Sequence, residues 1–368
     1  MSARLAIGLL SHFSTGAQSP EKLMLVAFIL ALTVQAAPDA ATRIDQIDTC
    51  LTCHGDETLE VTLENGDTQS LFISHEVFAR SVHGDKLSCV DCHTDMVEIP
   101  HETRAFSSRR EISLAYYEQC KRCHFQNYAK TLDSVHDTAL ARGDTTAPLC
   151  VDCHGAHDVA PPNQPRTRIS QTCASCHAGV SAVFARSVHG RALVDTGNAD
   201  VPTCTDCHRS HDVAGPHAGN WIDRTPELCA SCHADTPLME KYGLSTLVHQ
   251  TYLTDFHGVT ARLRRSDRDR DQPVIARCTD CHGVHDIMKV DDPESPVIRA
   301  NLVKTCQRCH ADATENFPAA WLSHYEPTWE RAPLVAAVTL AYKFLIPFMM
   351  GGLILQILLH VWRVVVNR

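Results

Sequence analysis

Every cysteine in this chain belongs to a single pattern. The 18 cysteines form nine C-x-x-C pairs, each followed at once by histidine, and none is left over. The nine strings are Cys50-Cys53-His54, Cys89-Cys92-His93, Cys120-Cys123-His124, Cys150-Cys153-His154, Cys173-Cys176-His177, Cys204-Cys207-His208, Cys229-Cys232-His233, Cys278-Cys281-His282 and Cys306-Cys309-His310. Zinc knuckles and disulfide frameworks also use paired cysteines, but neither explains a histidine after every second one. C-x-x-C-H is the attachment signature of c-type haem. Two thiols one helical turn apart can each form a thioether to a haem vinyl group, and the adjacent imidazole reaches the iron. The expected cofactor is nine covalently bound haem c.

Chain length agrees with that reading. Residues 38–330 carry the nine motifs, about 33 residues for each, with aromatics at 6% of the chain. So little polypeptide cannot build a sizeable core around every motif, and the porphyrins must supply much of the apolar interior. The expected fold class is a multihaem cytochrome fold, mostly irregular with short α-helices packed around haems, plus one C-terminal transmembrane helix. A formal charge of −10 excludes nucleic acid as a partner.

Both ends of the chain carry apolar segments. Arg4 and Lys22 precede the run Leu23 to Val34, and Val34-Gln35-Ala36 fits a cleavage site, so residues 1–37 read as a signal peptide. Leu334 to Trp362 carries one charge, Lys343. Its last 19 residues, Phe344 to Trp362, would span about 28 Å as helix, close to a bilayer core. Arg363 and Arg368 follow and place the C-terminus in the cytoplasm. The expected division is a signal peptide over 1–37, a nonahaem domain over 38–330, and an anchor with a short tail over 331–368. The expected location is the inner membrane, with one C-terminal span and the haem domain in the periplasm.

Self-comparison reveals a two-haem unit used four times, with the Cys50 motif outside it. The openers are Ser81-Val82-His83-Gly84, Ser134-Val135-His136-Asp137, Ser187-Val188-His189-Gly190 and Asp255-Phe256-His257-Gly258; F-A-R precedes the first and third. A CxDCH motif follows in each unit, with Asp91, Asp152, Asp206 or Asp280. Three units extend it to C-H-x-x-H-D, giving His157-Asp158, His211-Asp212 and His285-Asp286. A second CxxCH closes each unit.

An electron-transfer haem takes a ligand on each face. The repeat offers His83, His136, His189 and His257 from the openers, and His157, His211 and His285 from the extended strings. His101 stands in where the first unit's string is broken. The ninth distal ligand comes from His75, His249, His324 or His217, with His75 favoured. Because His154 serves its own haem, His157 three residues on must face a different iron, which laces neighbouring haems together. The aspartate after each distal histidine suits either a hydrogen bond to the ring or a helix cap. Short helices are expected over Ser113 to Cys120 and from Thr225-Pro226-Glu227, with Thr225 as cap. The R-R-S-D-R-D-R-D run within Arg262–Pro273 reads as a solvated charged loop.

Over about residues 45–310 this motif set resembles the periplasmic multihaem c-type cytochromes with doubled CxxCH repeats. The resemblance implies electron transfer from a membrane quinol-oxidising module to periplasmic or outer-membrane cytochromes, in anaerobic respiration. Its tail, with His324 in W-L-S-H-Y-E-P and His360 in L-L-H-V-W-R, is similar to that of cytochromes docking on a b-type or quinone-reactive membrane subunit. Relatives that reduce nitrite or hydroxylamine often carry a CxxCK motif, which this sequence lacks.

No acid–base constellation stands apart from the haem motifs, so an electron-transfer protein rather than an enzyme is expected. The alternative is a terminal reductase of a nitrogen or sulfur oxyanion with one open haem. A structural filament subunit is disfavoured by the anchor.

Overall fold

The computed structural model describes residues 40–96, 98–215, 221–264, 275–318, 324–326, 328–330 and 332–367. The signal segment 1–37, His217, and most of the charged 262–273 loop lie outside them. The chain divides into two compact bodies, Met1–Ile112 and Ser113–Arg368.

In the N-terminal body, α1 (Ala40–His54) runs directly into the first motif. A hairpin follows, β1 (Glu60–Thr62) and β2 (Thr68–Ser70), paired antiparallel with Val61 opposite Gln69. Asn65-Gly66 forms its turn, with Gly66 at φ 87°, a conformation that favours glycine. This hairpin departs from the expected helix-and-loop fold. Then come α2 (His75–Arg80) and α3 (Cys89–Cys92), followed by α4 (Arg109–Tyr116), which runs across the boundary between the bodies.

The C-terminal body is built of short helices. They are α5 (Lys121–Thr131), α6 (Val135–Ala141), α7 (Cys150–His154), α8 (Thr167–Ala174), α9 (Ala178–Arg186), α10 (Val188–Thr196), α11 (Cys204–His208), α12 (Thr225–His233), α13 (Thr236–Glu240), α14 (Val248–Thr254), α15 (Phe256–Arg264), α16 (Cys278–His282) and α17 (Arg299–Gln307). Except for α5, each has nine residues or fewer, too few to stand alone in water. Buried apolar side chains are sparse and scattered, among them Leu149, Leu193, Met239 and Tyr252. Packing between polypeptide segments therefore supplies little of the hydrophobic stabilisation a body of this size needs.

Local chemistry explains why the helices begin where they do. In each CxDCH string the aspartate is the third helical residue, and its carboxylate reaches back to the backbone N–H before the first cysteine. The distances are 2.7 Å from Ser88, 2.7 Å from Leu149, 2.6 Å from Thr203 and 2.8 Å from Arg277. This capping arrangement satisfies an otherwise orphaned donor and fixes the entry to the first thiol. Helix α4 starts earlier than expected, because Glu111 caps it by accepting from the Ser107 N–H and hydroxyl at 2.5 and 2.6 Å. Its continuation, Tyr117–Cys120, tightens to a 3-10 turn. Helix α12 begins at Thr225 as expected, but Arg224 occupies the capping position.

The openers share a second device. Ser187 Oγ accepts the Gly190 N–H at 3.0 Å, and Asp255 Oδ1 accepts the Gly258 N–H at 2.8 Å. Each opener helix crosses the end of the helix before it, α9 under α10 and α14 under α15. A Cβ at Gly190 would overlap the Phe184 carbonyl oxygen, and one at Gly258 that of Tyr252. Glycine is what lets these backbones approach so closely.

Successive repeats interlock through the backbone. The Val135 N–H donates to the Val213 carbonyl at 3.0 Å, and the Val188 N–H to that of Ile287 at 2.7 Å. Each opener is thus tied to the residue just past the His-Asp pair of the following repeat.

The last helix is α18 (Pro333–Val366), 34 residues with a mean hydropathy of 2.1 over its most apolar window, no residue of which is buried. It is about 51 Å long and covers the expected span, with Pro347 inside it.

Candidate haem centres

The repeat grammar sets imidazoles opposite one another. His154 and His211 lie 6.1 Å apart, ring centre to ring centre, and His208 and His285 5.9 Å. His136 lies 6.2 Å from His177, His189 6.1 Å from His233, and His257 6.3 Å from His310. In the N-terminal body His54 and His101 are 6.1 Å apart. A seventh pair, His282 and His324, is separated by 6.2 Å.

Every one of these pairs joins a CxxCH histidine to one outside the motifs. The separation has a chemical meaning. A ring centre sits about 1.1 Å from its ligating nitrogen and a metal–imidazole bond is about 2.0 Å, so one metal held between two imidazoles puts the ring centres about 6.2 Å apart. Seven pairs within 5.9–6.3 Å fit an iron in that position.

The pairing follows a rule. A motif that opens its unit takes its partner from the C-H-x-x-H-D string of the next repeat, as His154 does from His211 and His208 from His285. A motif that closes its unit takes the opener of its own repeat, as His177 takes His136 and His233 takes His189. Sequence reading found the candidates but not this rule. His83, His93, His124 and His157 hold the equivalent positions of the repeat in sequence.

The ring beside His282 is that of His324; among the described residues no imidazole is paired with the favoured His75, which sits exposed at the start of α2. The reason is register. The last repeat has no successor to supply a ligand, and His75 precedes the repeats altogether. His249, on α14, has a buried Nε2 without a hydrogen-bond partner and lies outside the pairs. His360 is exposed on α18.

Burial sets the protonation of these rings. It pushes His189 down to about 4, and shifts His136, His154, His211, His233, His282, His285 and His324 the same way. A neutral imidazole is the form that ligates a metal. His54 is oriented by a bond between Nδ1 and the Leu71 carbonyl at 2.9 Å. With Nδ1 donating there, Nε2 is left for iron.

The aspartates after the distal histidines hold turns. Asp286 accepts the Val284 N–H at 3.1 Å, Asp158 packs against Gly155, and Asp212 pairs with Arg209 at 2.6 Å. The residue after the proximal histidine turns the chain with positive φ: 78° at Gly155, 86° at Gly283 and 65° at Arg209. Two aromatics escaped the sequence reading, since nothing in the repeat marks them. Trp221 lies 5.3 Å from His208, and Phe317 5.1 Å from His310.

The thiols form a second series. All 18 cysteines are free. The first cysteines of neighbouring motifs lie close enough to act on one another: Cys50 and Cys89, Cys120 and Cys150, Cys173 and Cys204, and Cys229 and Cys278. Cys173 draws the Cys204 thiol down to about 6, and Cys120 draws Cys150 down to about 7. The remaining links in the C-terminal body are Cys153 beside Cys176, Cys207 beside Cys229, and Cys281 beside Cys306. Attachment sites three to nine therefore follow one another in space in the order of the chain.

These residues fit covalent haem: paired thiols on short helical turns, and imidazoles in opposed pairs with an iron-sized separation. No curated protein and no solved structure matches the chain. A family model described as cytochrome c3 matches residues 144–234, a stretch holding four of the nine motifs together with His157, His189 and His211. Over those residues the chain is similar to cytochrome c3, which supports a multihaem c-type cytochrome with covalently bound haem.

Proposed function

We propose that this chain carries electrons along nine bis-histidine haems, from a quinol-oxidising partner in the inner membrane to periplasmic or outer-membrane acceptors in anaerobic respiration. The observation that carries the reading is the set of seven histidine pairs, each spaced to hold one iron between two imidazoles. Haem iron would supply the one-electron chemistry. The chain would supply an imidazole on each side, which would leave those sites no position for a substrate. It also supplies consecutive attachment points, which keep each centre beside the next. The helix α18 supports attachment to a membrane, and a b-type cytochrome or quinone-reactive subunit is the partner proposed there.

The test is low-temperature EPR of the oxidised, detergent-purified chain, with haem quantified as the pyridine haemochrome. Nine haems per chain, all low-spin, is the result expected. A high-spin ferric signal worth one haem in nine would overturn the closed wire in favour of a reductase of a nitrogen or sulfur oxyanion.

A further inference from the structure

The pair His282–His324 breaks the repeat rule in an informative way. Every other histidine that opposes a unit-opening motif sits in or just after a CxDCH string. His324 instead lies nine residues before Pro333, the first residue of the apolar helix α18. Its ring nonetheless takes up the same relation. The planes of His282 and His324 differ by 20°, against 20° for His208–His285 and 24° for His154–His211.

We propose that His324 is the distal ligand of the eighth haem, opposite His282, so that the segment leading to the anchor completes a redox centre. The inference rests on the bis-histidine reading above. It makes the eighth site, rather than the ninth, the one whose coordination depends on the approach to the membrane. Eight residues separate His324 from α18, at most about 28 Å of extended chain, so this centre is held close to the start of the anchor.

The test uses the full-length chain purified in detergent. His324→Ala should retain nine haems by pyridine haemochrome, while about one-ninth of the iron becomes high-spin and returns to low-spin on adding imidazole. His75→Ala should leave every haem low-spin. His324→Met should keep the eighth haem six-coordinate and introduce the near-infrared charge-transfer band of a thioether-ligated ferric haem, a readout that survives if the alanine variant folds poorly.

The proposal is overturned if His324→Ala folds with all haems low-spin, if His75→Ala yields the high-spin signal, or if the methionine variant shows no thioether band. A high-spin haem in the unsubstituted chain would defeat the bis-histidine reading itself, a failure distinguishable from the loss of His324 alone.

Discussion

The two bodies bring a second imidazole to a CxxCH histidine by different means. In the C-terminal body the ligand His285 sits three residues past a proximal histidine, in a turn set by Gly283 and Asp286. In the N-terminal body the equivalent string is broken, and His101 arrives along a loop after Pro100. The Asp95–Arg104 ion pair at 2.9 Å pins that loop, and the Glu102 carbonyl lies 3.1 Å from His101 Nδ1. The resulting ring separations are 5.9 and 6.1 Å. Two unrelated backbones meet one spacing, so the spacing is the requirement and the turn only one way to satisfy it.

The sharpest way to break this comparison is to remove one haem from each body. Cys50→Ala with Cys53→Ala, and Cys204→Ala with Cys207→Ala, should each lower the haem count from nine to eight. The second pair should cost more, about 4 kcal/mol or above, lowering Tm by about 10 °C. Motif six has neighbouring thiols on both sides, whereas motif one stands at the start of the series. Equal losses in a thermal melt followed at the haem absorbance would mean that the bodies unfold as one unit.

A smaller effect tests the opener crossing. Gly190→Ala puts a Cβ into the Phe184 carbonyl and should destabilise by about 1–3 kcal/mol in denaturant titration. Asp137→Ala, at the same register of a repeat that manages without glycine, should stay within about 0.5 kcal/mol. Should the two match, the close crossing is not what fixes the opener.

Capping comes next. Asp206→Asn weakens the bonds to the Thr203 N–H and hydroxyl, and the 2.7 Å ion pair with Arg166. About 1 kcal/mol should be lost, against less for Asp91→Asn, which has the cap bonds at Ser88. The smallest change expected is a gain. Arg209→Gly relieves a positive φ at the cost of an exposed ion pair with Asp212, so thermal stability should rise by about 0.5–1 kcal/mol.

The attachment cysteines, their histidines and the repeat-borne partners such as His136, His211 and His285 were legible because they are local strings at a fixed period. The reach of His324 was not, since pairing across 42 residues is set by packing and leaves no local mark. The hairpin at Asn65-Gly66 carried a readable turn signal, overshadowed by the haem motifs around it. The recurring aspartate of CxDCH was visible, yet its capping role needs the distance to Ser88 or Thr203 to appear. Trp221 and Phe317 occur once each, outside any period, and only the structure sets them against proximal rings.

The pairing rule also orders events in time. A unit-closing motif would find its second ligand in chain already made, as His177 would in His136. A unit-opening motif must wait: His154 for His211, His208 for His285, His282 for His324. On a chain threaded N-terminus first, alternate centres would stay half-coordinated until the next repeat emerges, and the eighth until the anchor is about to enter the bilayer. Completion of the last site would then coincide with arrival at the membrane, and a truncated chain would betray itself by a haem left open.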